Sequence, residues 1–253
     1  MQEYISSKVL LQEVLLDFIE SNDDKRTEES YQNFVAIIES QRIKCDKHEL
    51  KLFMHLLTTI ANDHNRSSHL FEKIETIILF TKTELNKFYK NDEIFNIFRS
   101  NKKILQFLFK EKIIHMDDTI LNIMKSTKDF HENYNIYFSP EITTFTKKSD
   151  DKEMIDPNGN DFDTKRSIGE NDKLICQLIR DDLIYDFNAH VNKSSTSLSS
   201  KVEYSVFETN SFLIQNPATL LEYAAFFGSM KIINYLIEKD VKLTPSLWMY
   251  GVH

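Results

Sequence analysis

The sequence predicts an all-α protein: a helical N-terminal domain followed by a short array of helical hairpins. Three observations carry that prediction. All four glycines and all four prolines fall after Ser139, so the first 139 residues lack both strong helix breakers. Within that stretch apolar residues recur at helical spacing, in stripes separated by polar breaks. Finally, Asn216–Asp240 (NPATLLEYAAFFGSMKIINYLIEKD) runs as a short helix, a paired alanine, a glycine turn and a second apolar helix.

The elements follow in chain order. Residues 1–139 form the expected helical domain. Val9, Leu10, Val14, Leu15, Phe18 and Ile19 make one stripe, and Phe34, Val35, Ile37 and Ile38 a shorter one. Leu50, Phe53, Met54, Leu57 and Ile60 make a third, and Leu70, Phe71, Ile74, Ile77 and Ile78 a fourth. Ile104, Leu105, Phe107 and Leu108 follow, then Ile120, Leu121, Met124 and a Phe130–Phe138 segment. The breaks, such as SNDDKRTEES and NDHNRSS, supply Ser, Asn and Asp to cap helix starts. Residues 140–170 are polar and turn-rich. From Ser149 to Asp172 eight acids stand against three bases, which predicts a mobile acidic linker or a long exposed loop.

Residues 171–253 form the expected hairpin region. LICQLIRDDLIYDFNAHV reads as two short helices broken near Asp181-Asp182. A Ser-rich loop follows, with Val202, Tyr204, Val206 and Phe207 placed to pack back on the helices. Thr219 then caps a helix in which Leu220 and Tyr223 face the core. Ala224 and Ala225 keep the paired helices close, and Gly228 takes the left-handed conformation that ends it. Ile232, Ile233, Tyr235, Leu236 and Ile237 line the next helix, and Val241 anchors its exit.

This order looks like the ankyrin pattern, so the array is expected to be a degenerate ankyrin-type one. Ser246–Val252 can be laid on Thr219–Ala225 at an offset of 27 residues, shorter than the roughly 33 of an ordinary ankyrin repeat. Ser100–Ile114 aligns with Gly228–Lys242 in apolar character. Two readings stay open for that match: chance similarity of amphipathic helices, or a degenerate array within the N-terminal domain. The chain also resembles a large family of ankyrin-repeat proteins from parasitic protists, which carry an N-terminal helical domain of unknown function (the type numbered 3447). The matching stretches are GENDKLICQLIRDD, SVFETNSFLIQN, TLLEYAAFFGS and LTPSLWMYGVH. The resemblance covers Gly169 onward well and the first half more loosely. It implies ankyrin packing and protein binding, and no enzyme activity. The chain stops just inside a new repeat, which suggests a short or truncated member.

Composition narrows the function. With 41% apolar and 12% aromatic residues, the chain has ample material for packed cores. A net charge of -8, without a strong basic cluster, argues against a nucleic-acid partner. No run approaches the roughly 20 apolar residues of a membrane span. The N-terminus lacks the basic flank and clean apolar core of a signal peptide, so a cytoplasmic protein is expected. Cys45 and Cys176 form no CxxC pattern. Cys45, His48, His55, His64 and His69 are too scattered over helix faces for a zinc site. Asp156–Asp161 begins like a calcium loop, but Asp161 and Ser167 stand where Gly and Glu are required. No cofactor is expected, nor any catalytic or metal site, since phosphate-loop and nucleophile motifs are absent from the sequence. The expected function is non-enzymatic binding of a protein partner that the residues do not identify. Leu247, Trp248 and Tyr250 are the candidate interface. A structural or regulatory scaffold, or a non-functional family member, is the alternative.

Overall fold

The computed structural model describes residues 2–63, 69–126, 134–147 and 159–252. These residues form sixteen α-helices, one short 3-10 turn and no strand, with a single antiparallel bridge between Lys201 and Thr219. The chain divides into two compact units, Met1–Ile123 and Met124–His253.

The first unit contains α1 (Gln2–Glu20), α2 (Asp24–Ser40), α3 (Lys47–Asp63), α4 (Leu70–Phe88), α5 (Asn91–Phe98) and α6 (Lys102–Lys110). The chain leaves it within α7 (Asp118–Ser126). Helix α1 packs on α2 and α4, α3 packs on α4 and α5, and α6 packs on α4 and α5. The third and fourth stripes are buried as their spacing requires, Phe71 alone being only partly so. The first stripe differs. Val9 is 48% exposed and Leu10 is exposed too, while Leu11 takes the inward position. Three polar breaks cap locally, whereas α4 starts after His69 without a side-chain cap bond. Asp23 accepts the Arg26 amide at 3.1 Å, Asp46 the Glu49 amide at 2.9 Å, and Asn101 the Ile104 amide at 3.0 Å. Lys73, buried on α4, donates at 3.0 Å to the Ile19 carbonyl and closes the C-terminal end of α1, where orphan carbonyls favour a cation.

The alignment of Ser100–Ile114 with Gly228–Lys242 is matched in conformation. Helices α5 and α6 have eight and nine residues, the same lengths as the later pair containing Gly228. Each pair exits through a left-handed residue, Lys112 (φ 54°) and Asp240 (φ 56°). The following amides, Ile113 and Val241, reach back to Leu108 and Leu236 at 2.9 and 3.1 Å.

The second unit contains α8 (Tyr134–Tyr137), α9 (Ser139–Lys147), α10 (Gly159–Ile168), α11 (Leu174–Arg180), α12 (Ile184–Ser194), α13 (Ser211–Gln215), α14 (Leu220–Phe227), α15 (Met230–Glu238) and α16 (Leu247–Gly251). The division between units therefore comes earlier than the expected one after residue 139. Tyr137 and Phe138 belong with the later residues because Arg166 packs on them, its guanidinium 5.1 and 5.8 Å from their ring centroids. The expected linker at 140–170 is also partly built. Its helix α10 buries Phe162 and Arg166, and Arg166 pairs with Glu141 at 2.8 Å. Phe162 meets Phe207 edge to face at 5.3 Å. Residues 148–158, which hold the first half of the calcium-loop-like stretch, lie outside the described residues, as does His64.

Candidate functional site

The site is built on the α14–α15 hairpin. Thr219 Oγ1 accepts the Glu222 amide at 3.2 Å, and the Glu222 carboxylate accepts the Thr219 amide at 2.8 Å, a reciprocal capping box. Leu220 and Ala224 are buried, and Ala225 is partly so. Gly228 sits at φ 66° and ends the helix, with its own amide on the Ala225 carbonyl at 3.2 Å and the Ser229 amide on Ala224 at 2.9 Å. From α15, Ile232 and Leu236 are fully buried. Ile237 turns outward instead of lining the core, and so does Tyr204 in the preceding loop.

This hairpin stacks on the α11–α12 hairpin, which turns at Asp182 with φ 50°. Helix α11 lies against α14, α12 against α15, and α16 continues the inner row on the other flank of α14. The two hairpins exchange caps. The Asp182 carboxylate accepts the Lys231 and Ile232 amides at 3.1 and 3.0 Å, at the start of α15. In return Ser229 donates to the Ile179 carbonyl at the end of α11, at 2.6 Å.

Glu222 also fixes the entry to α16, accepting from the hydroxyls of Thr244 and Ser246 at 2.6 Å each. Burial pushes its carboxyl up, but the hydrogen bonds from Ser246, Thr219 and Thr244 outweigh it and hold the group below its ordinary value. The three interface candidates separate here. Tyr250 is only 4% exposed; its ring meets Phe212 at 5.0 Å and its hydroxyl donates to the Asn216 carbonyl at 2.9 Å. Leu247 packs, half-buried, against the same core. Only Trp248, 68% exposed, faces outward, joined among exposed residues by Leu243 and Val252. The correction has a simple cause: Leu247 and Tyr250 are three apart and share one helix face, while Trp248 lies off it.

No protein-family model, curated protein or solved structure matches the chain.

A second feature was missed by sequence reasoning. Glu208 is fully buried, and its two oxygens accept the amides of Asn171 at 3.2 Å and Asn210 at 2.9 Å. Thr209 donates its hydroxyl to the Gly169 carbonyl at 2.6 Å, and Ser205 donates to Asp172 at 2.7 Å. The stretches GEND and FETN, read separately in the sequence, are thus one polar staple. Arg180 closes its side, bonding the Asn171 carbonyl at 2.8 Å, the Tyr223 hydroxyl at 2.9 Å and Glu170 at 2.5 Å. Burial raises the Glu208 carboxyl to about 7 against the pull of the two amides and Arg180. A cavity of about 90 Å³ beside it is lined by Asn171, Ser205, Leu213, Ala218 and Tyr223. Burial also lifts the Cys176 thiol to about 12, which keeps it protonated and unreactive at neutral pH. The arrangement turns its acid inward onto backbone amides, so its chemistry is that of a clamp. Among the described residues no group of three His, Cys, Asp or Glu side chains could hold a metal ion, and no helix is long and apolar enough to cross a membrane.

Proposed function

We propose that the second unit is a non-enzymatic, ankyrin-type protein-binding module acting in the cytoplasm. The observation that carries this reading is the end of the inner row. Leu247 and Tyr250 dock α16 on α14, and Trp248 is left 68% exposed beside the outward Val252. A tryptophan held on a rigid, packed helix costs little entropy to bury and is the residue type most enriched among binding hot spots. A helical array presenting its inner row in register offers a surface instead of a reaction centre. The net charge of -8 favours a protein partner over a nucleic acid.

Affinity capture from the native cell tests the reading, comparing the full chain with a Trp248→Ser, Val252→Ser variant whose circular dichroism is unchanged. The expected result is a partner retained by the parent chain and lost by the variant. Identical retained proteins from both would remove the binding role from this face.

A further inference from the structure

The first unit carries a groove of about 470 Å³ between α3 and α5. Its α3 wall presents Lys47, His48, Lys51 and His55, and its α5 wall Glu93, Asn96 and Ile97, with Tyr89 between them. In a chain of net charge -8, two lysines and two histidines line a space whose lining holds one carboxylate. That carboxylate is already engaged: Glu93 accepts the Lys90 amide at 2.7 Å and meets Lys47 at 3.4 Å. Among the described residues, Lys51, His48 and His55 form no ion pair.

Position sharpens the point. Lys47, His48 and Lys51 occupy the first turns of α3, the positive end of the helix dipole, where cations are disfavoured. Asp46 caps that end through the Glu49 amide and its charge reaches Tyr89 at the groove, while Glu49 is paired with Lys8. Burial and the charge of Lys51 push the His55 imidazole below its ordinary value. A local arrangement that works against its own helix and disfavours the charged form of a histidine is relieved by a bound anion. A compact dianion would draw charge-assisted bonds from Lys47 and Lys51 and from both imidazoles once protonated. Tyr89, over whose ring Lys47 Nζ sits at 4.8 Å, lines the groove with Ile97 and Asn96 and gives a mixed floor for an attached organic group.

We propose that this groove binds a small, freely diffusing organic phosphate monoester, held by Lys47, His48, Lys51 and His55. The test is an NMR titration of the histidines in the full chain, with phenyl phosphate, with inorganic phosphate, and with sodium chloride at matched ionic strength. Phenyl phosphate at millimolar concentration should raise the His55 midpoint by about one pH unit, perturb the His48 ring resonances and leave those of His190 in place. Inorganic phosphate should act in the same direction and more weakly, because it makes no contact with the floor. Lys51→Gln, a change at an exposed side chain, should weaken the response about tenfold with circular dichroism unchanged. A shift of equal size in chloride, no saturable shift, or an unaltered response in Lys51→Gln would overturn the proposal. So would retention on phosphatidic acid vesicles without a response to phenyl phosphate, which would make the ligand a lipid headgroup.

Discussion

Glu208 should make the second unit less stable as pH rises toward neutrality, the reverse of the usual carboxylate. Its carboxyl titrates near 7 in the folded chain and near the ordinary 4.5 once unfolded. Between those values the folded state keeps a proton that the unfolded state has released. Stability therefore falls from pH 4.5 to about 7 and levels off above it. The full gap corresponds to roughly 3 kcal/mol, of which about 2.5 kcal/mol lies between pH 5 and pH 8. The perturbation is Glu208→Gln. It removes the titration but turns an amide NH2 toward a backbone N–H donor, because both carboxylate oxygens accept from amides. That clash costs about 1–3 kcal/mol at every pH. At pH 5 the parent chain should be clearly the more stable of the two, and at pH 8 the two should nearly coincide. Urea unfolding at a series of pH values, followed by the fluorescence of Trp248, the single tryptophan, reads this unit directly. The gap between the two midpoints should narrow by about 1–2 M urea over that range. Asp172 and Glu222, both held below their ordinary values, lose their contributions only at more acid pH, outside this window. A difference between parent and variant that stays flat from pH 5 to pH 8 would refute the reasoning and show the staple ionised throughout.

Two further outcomes follow from the same unit. Glu222→Ala removes the acceptor shared by Thr219, Thr244 and Ser246 and should cost about 2 kcal/mol, with faster amide exchange across Leu247–Gly251. Gly228→Ala adds a Cβ that meets nothing within 4 Å, so its cost is the left-handed backbone alone, about 1 kcal/mol, read as a lowered thermal midpoint with unchanged far-ultraviolet dichroism.

The long helices were legible because their stripes repeat over several turns. Leu50 to Ile60 and Leu70 to Ile78 fix a face that no single residue could. The capping signals were legible for the same reason that they work: Asp23, Asn101 and Thr219 act within three residues. Helix α16 was not legible in that way. Five residues make little more than one turn, and the face buried by Leu247 and Tyr250 is chosen by Phe212 and Asn216 upstream. Glu208 was hidden because its burial depends on an amide 37 residues earlier. Helix α10 carries no apolar stripe and is fastened instead by ion pairs, Arg166 to Glu141 and Lys165 to Asp172, and by ring contacts of Arg166 on Tyr137 and Phe138 and of Phe162 on Phe207. Composition alone therefore reads that segment as solvent-exposed.

The exchange of caps between the two hairpins sets a rule for how this array tolerates change. The start of α15 is completed by Asp182, about 50 residues upstream, and not by the loop that leads into it. The intervening segment is relieved of that duty, so insertions in the Ser-rich loop should pass without disturbing the start of α15. The hairpins themselves cannot be dealt out singly. A copy of α14–α15 placed elsewhere would arrive with two bare amides, while α11 without its neighbour would lose only the Ser229 hydroxyl from an Ile179 carbonyl that the Asp182 amide also reaches at 3.0 Å. Growth of such an array by duplication must therefore proceed in hairpin pairs, or bring with each new turn an acid at the position of Asp182.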